Sequence, residues 1–119
     1  MENEAILTKL LDNLKMIQSI KMDDGYVTNR IVGIGNNSAT LLGQLETDDK
    51  DQQALITEAV ARLNEIDVIY ERYLEHPDYK QFMKKLSTHG NMDLFMKAIR
   101  CVEGALEIFL SRIGWYNRK

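Results

Sequence analysis

Apolar residues recur along most of this chain at alternating spacings of three and four, which is the period of a helix with one buried face. One such stripe covers about residues 3 to 20, a second runs from residue 55 to residue 73, and a third extends from residue 95 to residue 113. These stripes predict an all-α fold in which the helices share one core. Their apolar positions are Leu7, Leu10, Leu14 and Ile17; Leu55, Ala59, Leu63, Ile66, Tyr70 and Tyr73; and Phe95, Ala98, Ile99, Val102, Ala105, Leu106, Phe109 and Ile113.

Residues with strong turn or capping preferences separate these stripes. Asp23-Asp24-Gly25 should end the first helix, because aspartate and glycine favour turns. Asp48 or Asp49 can cap the next long helix, because a short carboxylate accepts hydrogen bonds from the free N–H groups of a first helical turn. His76-Pro77 should end that helix, because proline keeps the residue before it out of the α conformation.

The last part of the chain is predicted to hold two further helices. Pro77 suits the first turn of a short helix that continues to about residue 86, and Asn91 can cap a longer helix that ends at Gly114. Trp115–Lys119 would follow as a basic, aromatic tail. Together with the upstream helices, this predicts a compact bundle of about five helices in one domain. The predicted divisions of that domain, residues 1–119, are residues 1–22 for an N-terminal amphipathic helix and residues 26–116 for the core bundle.

The second helix, predicted from about Thr28 to Glu46, has a competing interpretation. Gly33, Gly35 and Gly43 each cost up to about 1 kcal/mol in a helix interior relative to alanine. A β-hairpin through residues 33–37 is therefore the alternative. If the helix forms, these glycines would allow a neighbouring helix or a ligand to approach its backbone closely.

The composition is typical of a globular domain, with 45% hydrophobic and 28% charged residues. The start, Met1-Glu2-Asn3-Glu4, lacks the basic and apolar regions of a signal peptide, and no apolar stretch approaches the ~20 residues of a membrane-spanning helix. We therefore expect a cytoplasmic protein without a membrane partner. The single cysteine, Cys101, lies within an apolar helical pattern, and we expect it to be a core side chain rather than a reactive thiol.

Residue clusters that carry chemistry are scarce in this sequence. A metal site on helices needs several His, Cys or carboxylate ligands on one face, and His76, His89 and Cys101 do not have that spacing. Gly33-Ile34-Gly35 is not followed by the third glycine of a dinucleotide-binding loop. We therefore expect no catalytic residues, no metal and no cofactor, and infer that the protein acts by binding other macromolecules.

Positive charge is the remaining candidate for a binding surface. The net charge of −3 does not by itself indicate a nucleic-acid binder. However, many lysines and arginines gather in the last third of the chain, and such side chains neutralise backbone phosphates without recognising a base sequence. A solvated helix surface is the alternative explanation. The candidate nucleic-acid-binding residues are Arg30, Lys80, Lys84, Lys85, Lys97, Arg100 and Arg112.

Several segments resemble one family of helical proteins. Asp24-Gly25-Tyr26-Val27-Thr28-Asn29-Arg30-Ile31 resembles the Gly-Leu-Thr-Thr-Ser-Lys-Leu segment that opens the first core helix of the small helical subunit of type III-A CRISPR effector complexes. Phe95, with Arg100-Cys101-Val102-Glu103-Gly104-Ala105-Leu106 after it, is similar to the closing segment of that family. Ile69-Tyr70-Glu71 and Tyr79-Lys80-Gln81-Phe82 fall where the family has Val-Tyr-Glu and Val-Lys-x-Phe. The resemblance covers about residues 24 to 116.

This resemblance implies a five-helix bundle that stacks in copies along a ribonucleoprotein filament. Such a subunit would contact the backbone of guide and target RNA beside the other subunits of the complex, while a neighbouring subunit carries out cleavage. Arg30 and Arg100 would stand at basic positions of the family, and Lys80 is a looser match. The alternative hypothesis is a helical module that binds protein or a small ligand, such as a dimeric adaptor, a chaperone or a phage sequestering protein. A homo-oligomer is compatible with both hypotheses.

Overall fold

The computed structural model describes residues 2–20, 27–74 and 92–116, and these residues form four helices. Within the last two stretches, side chains are described for residues 30–66, 68 and 96–116. The helices are α1, Asn3–Ser19; α2, Val27–Gln44; α3, Lys50–Leu74; and α4, Met92–Arg112. None of the described residues forms a strand, so the all-α prediction is confirmed for this part of the chain. The short helix predicted from Pro77 to residue 86 lies outside the described residues, so four of the roughly five predicted helices are seen.

The four helices run alternately up and down around a shared core. Each helix packs against the next one along the chain, and α4 closes the ring against α1, with the most extensive contact between α3 and α4. The start of α1 lies beside the end of α2, where the Asn3 side chain hydrogen-bonds to the backbone of Glu46. Because neighbouring helices are antiparallel, α2 and α4 run parallel to each other, and they also meet across the centre of the bundle.

The core confirms the helical stripes wherever their side chains are described. α1 is an integral part of the bundle, because Leu10, Leu14 and Ile17 are fully buried. Each fully buried aliphatic side chain contributes about 1.5–3 kcal/mol relative to an exposed one. None of the described helices has the length and apolar character needed to span a bilayer. The buried apolar residues are Ile6, Leu7, Leu10, Leu14, Ile17, Ile31, Leu41, Leu42, Ala59, Leu63, Ile66, Ala98, Ile99, Val102, Ala105, Leu106, Phe109 and Leu110.

Predicted core residues that are missing from this set fall into two groups. Leu55 and Ile113 are only half-buried, and both pack against the edge of the core. Tyr70, Tyr73 and Phe95 lie on described helices, but their side chains are outside the described part of the structure.

α2 is continuous through residues 33–37, so the hairpin alternative is wrong. Gly35 is buried, and a Cβ atom placed there would lie 2.9 Å from Cδ1 of Ile66 in α3 and 3.6 Å from Cγ2 of Val102 in α4. A Cβ atom on Gly33 or Gly43 would have no heavy atom within 4 Å. The close approach of α3 and α4 therefore explains why position 35 is a glycine, but it does not explain Gly33 and Gly43.

The start of α3 confirms one of the two caps predicted for it. Oδ1 of Asp49 accepts hydrogen bonds from the backbone N–H groups of Asp51 at 2.8 Å and Gln52 at 3.3 Å. Asp48 is exposed and makes no such contact. The helix boundaries predicted at His76-Pro77 and at Asn91 lie outside the described residues.

Gly114 ends α4 in the left-handed conformation, with φ of 84°. The N–H of Trp115 donates to the carbonyl of Leu110 at 2.8 Å, and the N–H of Gly114 donates to that of Ser111 at 3.2 Å. This pair of bonds is the Schellman motif, in which glycine avoids the steric cost of a positive φ. It turns the chain back, so that Tyr116 packs half-buried against the core. The predicted aromatic tail therefore begins as part of the bundle.

Candidate nucleic-acid interface

Three of the predicted cations lie near one end of the bundle. Gly35 faces Val102 across the centre, where a Cβ atom on Gly35 would lie 3.6 Å from Cγ2 of Val102. This approach, the Gly35–Val102 contact, places the parallel helices α2 and α4 level at these positions. Arg30 and Lys97 each stand five residues before this contact, about 7.5 Å further along the axis at ~1.5 Å per residue, and Arg100 lies between the two levels. All three side chains are exposed. We call the end at which α2 and α4 begin the basic end, defined by Arg30, Lys97 and Arg100.

The opposite end of the bundle is rich in carboxylates. It is formed by the start of α1, the loop of residues 45–49 with the start of α3, and the end of α4. Its only described cations are Lys50 and Arg112. We call it the acidic end, and its carboxylates, all exposed, belong to Glu2, Glu4, Glu46, Asp48, Asp49 and Asp51.

Not every predicted site residue joins the basic end. Arg112 stands twelve residues after Arg100 on the same helix, about 18 Å along the axis, and therefore lies at the acidic end. Glu103 and Glu107, both half-buried, lie between them on α4. The other predicted cations, Lys80, Lys84 and Lys85, fall outside the described residues.

Charged side chains in the described part of the chain follow this division along the axis. Beyond the level of the Gly35–Val102 contact toward the basic end, the described charged side chains are three cations, Arg30, Lys97 and Arg100, and one carboxylate, that of Glu65 on α3. Toward the acidic end, carboxylates outnumber cations. The excess comes from Glu2, from the loop carboxylates Glu46, Asp48 and Asp49, and from α4, where two glutamates exceed the single Arg112. The fold thus gives the described surface a charge gradient that the net charge of −3 does not reveal.

A buried polar contact between α1 and α2 was missed by the sequence analysis. Asn13 is only 5% exposed, and its Nδ2 donates to Oδ1 of Asn37 at 2.9 Å and to Oγ of the fully buried Ser38 at 3.0 Å. Its position is visible in the sequence, because Asn13 lies three residues after Leu10 and four before Ile17, on the apolar face. These hydrogen bonds set the register of α1 against α2.

Cys101 is half-buried between α4 and α3 rather than fully in the core. Its thiol donates a hydrogen bond to the backbone carbonyl of Arg62, with Sγ 2.8 Å from the oxygen. Burial raises the pKa of the Cys101 thiol, the nearby Glu65 carboxylate raises it further, and the Arg62 guanidinium opposes both. The thiol is therefore protonated at neutral pH, as expected of a packing residue and not of a nucleophile.

Comparison with known proteins adds no further information. No family model, no curated protein and no solved structure matches this chain. The type III-A resemblance accordingly stays a hypothesis based on the sequence segments quoted above. The described residues include no group of three or more His, Cys, Asp or Glu side chains that could hold a metal ion. The features of the described surface that bear on function are its two oppositely charged ends.

Proposed function

We propose that this protein is a non-catalytic, cytoplasmic RNA-binding subunit that contacts the backbone of guide and target RNA within a type III CRISPR ribonucleoprotein complex. The observation that supports the proposal is the segregation of charge along the bundle. Arg30, Lys97 and Arg100, from two different helices, stand at one end, away from the carboxylates of the acidic end.

Contacts of this kind suit the RNA backbone rather than the bases. Exposed arginine and lysine side chains form charge-assisted hydrogen bonds with phosphate oxygens and release counterions from the nucleic acid. Such binding is independent of base sequence and weakens steeply with salt. Because α2 and α4 pack in register, the backbone positions of the cations are set before RNA binds, and only their exposed side chains must be ordered.

The acidic end restricts the surface on which RNA can bind. Its carboxylates repel phosphates, because like charges brought together at an interface are strongly unfavourable. RNA should therefore approach only from the basic end, which leaves the acidic end available to protein neighbours in the same complex.

The direct test measures the affinity for a fluorescently labelled single-stranded RNA and for an RNA duplex between about 50 and 200 mM salt. We expect the double variant Arg30→Glu/Arg100→Glu to lose roughly tenfold or more in affinity and to show a salt slope smaller by about 1–2. The matched control Lys50→Glu/Arg112→Glu makes the same change in net charge at the acidic end and should bind within about twofold of the wild type. Equal losses in the two variants, or binding that salt does not weaken, would contradict the proposal.

A protein-binding module is the second candidate function, and a cleft at the acidic end favours it. This function does not compete with RNA binding for the same residues. If the RNA test fails, the protein-binding function becomes the leading hypothesis.

A further inference from the structure

A small cleft of about 90 Å³ opens at the acidic end of the bundle, between the start of α1, the loop of residues 45–49, the start of α3 and the end of α4. This volume is well below the roughly 300–1,000 Å³ that is usual for small-molecule sites, and it suits a single side chain of a partner. Trp115 is 37% exposed at its edge and offers an aromatic face. The apolar side chains that line the cleft are Leu7, Leu45, Ile56, Phe109, Ile113 and Trp115.

Side-chain and backbone hydrogen bonds fix the walls of this cleft. Nδ2 of Asn3 donates to the carbonyl of Glu46 at 2.6 Å, and the N–H of Glu46 donates to Oδ1 of Asn3 at 3.1 Å. Oγ1 of Thr47 donates to Oε1 of Gln52 at 2.9 Å, which ties the loop to the start of α3. The Schellman motif holds Trp115 in place. A preformed cleft of this kind binds without a large cost of ordering.

The charge around the cleft selects among possible occupants. Glu46 lines the cleft, and the other carboxylates of the acidic end lie on the segments that form its walls. An RNA phosphate is unfavourable here, because it would meet like charge. The lining is mixed, because Asn3, Thr47 and Gln52 stand in it beside Glu46 and the apolar side chains. A segment that carries an apolar side chain together with cations is complementary both to the apolar part of the lining and to the acidic surroundings.

We propose that this cleft docks a short segment of a partner protein in which one or two apolar side chains are flanked by lysine or arginine. The apolar side chain would enter between Ile56 and Trp115, and a flanking cation would lie near Glu46 or over the indole ring of Trp115. The proposal does not depend on RNA binding, because it uses the opposite end of the bundle.

A second copy of this chain is a poorer occupant. A two-fold dimer through the cleft would bring two acidic ends together, which is electrostatically unfavourable. A head-to-tail contact would instead use the basic end of the next copy, and such contacts continue into open filaments when the rotation does not close a ring. The partner segment avoids both consequences.

The test uses a panel of short synthetic peptides with leucine, isoleucine, phenylalanine or methionine at the centre and lysine or arginine on both sides. Trp115 is the single tryptophan of the chain, so its fluorescence reports directly on the cleft. We expect saturable binding for at least one peptide, with a change in tryptophan emission. The same peptide should lose this binding when its central residue is replaced by serine or its flanks by glutamate.

Variants of the protein locate the binding. By fluorescence anisotropy of the labelled peptide, Trp115→Ala should weaken binding roughly tenfold or more, and Glu46→Lys roughly threefold. Glu46 contacts Asn3 through backbone atoms, so this substitution keeps that contact. The matched control Glu65→Lys makes the same charge change on an exposed site of α3, away from the cleft, and should leave the affinity unchanged.

Several outcomes would overturn the proposal. The first is that no peptide of the panel binds saturably up to about 1 mM, and the second is that the glutamate-flanked peptides bind equally well. The third is that Trp115→Ala keeps its helical circular dichroism and binds the peptide with unchanged affinity. The fourth is self-association of the protein in sedimentation experiments that Trp115→Ala abolishes. RNA that changes the emission of Trp115 would count against it as well. Failure of RNA binding at the basic end leaves this result intact, because the two experiments use different probes and variants.

Discussion

The two ends of this bundle are made from the same four helices, yet they differ in charge and in how the chain closes them. At the acidic end, Asn3, Thr47 and Asp49 tie the helix ends and the loop together through side-chain hydrogen bonds, and a cleft remains between them. At the basic end, Arg30 and Lys97 stand level on parallel helices with exposed side chains.

This difference shows that topology, and not composition, creates the electrostatic character of the surface. Arg30 and Lys97 are far apart in the sequence and lie level only because α2 and α4 run in the same direction and meet at Gly35. Arg112 belongs to the same helix as Lys97 but lies at the other end. A count of lysines and arginines in a segment therefore does not predict which of them act together.

The largest effect is expected from a substitution that forces α2 away from α3 and α4, because it would disturb the alignment of the cations at the basic end. Gly35→Leu adds a side chain where even a Cβ atom would lie 2.9 Å from Ile66, and should lower the free energy of unfolding by about 2–3 kcal/mol. RNA affinity should fall with it, because the register of Arg30 and Lys97 depends on this contact. In the matched control Gly33→Ala, the new methyl group meets no atom within 4 Å, and we expect a gain of up to about 1 kcal/mol in urea unfolding.

The register of α1 against α2 can be broken more gently. Asn13→Ala removes both hydrogen bonds of its amide and leaves Ser38 buried without this partner, which should cost about 1–3 kcal/mol in unfolding free energy. The double variant Asn13→Leu/Ser38→Ala replaces the buried pair by apolar groups and should recover most of that loss. If the single and double variants are equally destabilised, the polar contact does not have the role given to it here.

A smaller loss of stability is expected at the acidic end, where Asp49 caps α3. Asp49→Ala removes the cap of α3 and should lower the midpoint of thermal unfolding, with a loss of about 1 kcal/mol. Asp48→Ala removes the same charge one residue earlier without removing a cap, and should change the unfolding free energy by less than about 0.5 kcal/mol. Equal effects would show that the charge, and not the cap, matters for stability.

The smallest expected effect lies between the two ends, at Cys101. Its pKa is raised in the folded state by burial and by Glu65, so the folded protein holds the thiol proton more tightly than the unfolded chain. This contribution to stability is fully present below the ordinary thiol pKa of about 8.5 and is lost as the pH rises through the folded-state pKa. Stability of the wild type should thus fall more steeply at alkaline pH than that of Cys101→Ala. Parallel curves in denaturant titrations across this range would contradict the assignment.

Local patterns in the sequence predicted much of the fold. The apolar stripes of α1, α3 and α4 and the caps at Asp49 and Gly114 depend on residues within a few positions of each other, so they are visible without a structure. The glycines of α2 were ambiguous, because glycine weakens a helix locally while Gly35 serves a contact that only the packed bundle creates.

The candidate sites could be predicted only in part. Which cations share an end and where a cleft opens both depend on the register between helices, which local periodicity does not contain. Asn13 shows the limit most clearly, since its place on the apolar face was visible but its partners Asn37 and Ser38 were not.

The most direct test of the charge asymmetry is an NMR titration of the ¹⁵N-labelled protein with a single-stranded RNA of about ten nucleotides. If RNA binds at the basic end, the backbone amides near Arg30 and in residues 96–101 should show salt-sensitive shifts, and those of residues 2–8 and 45–52 should stay unchanged. Shifts spread evenly over both ends, or concentrated around the carboxylates of the acidic end, would contradict it.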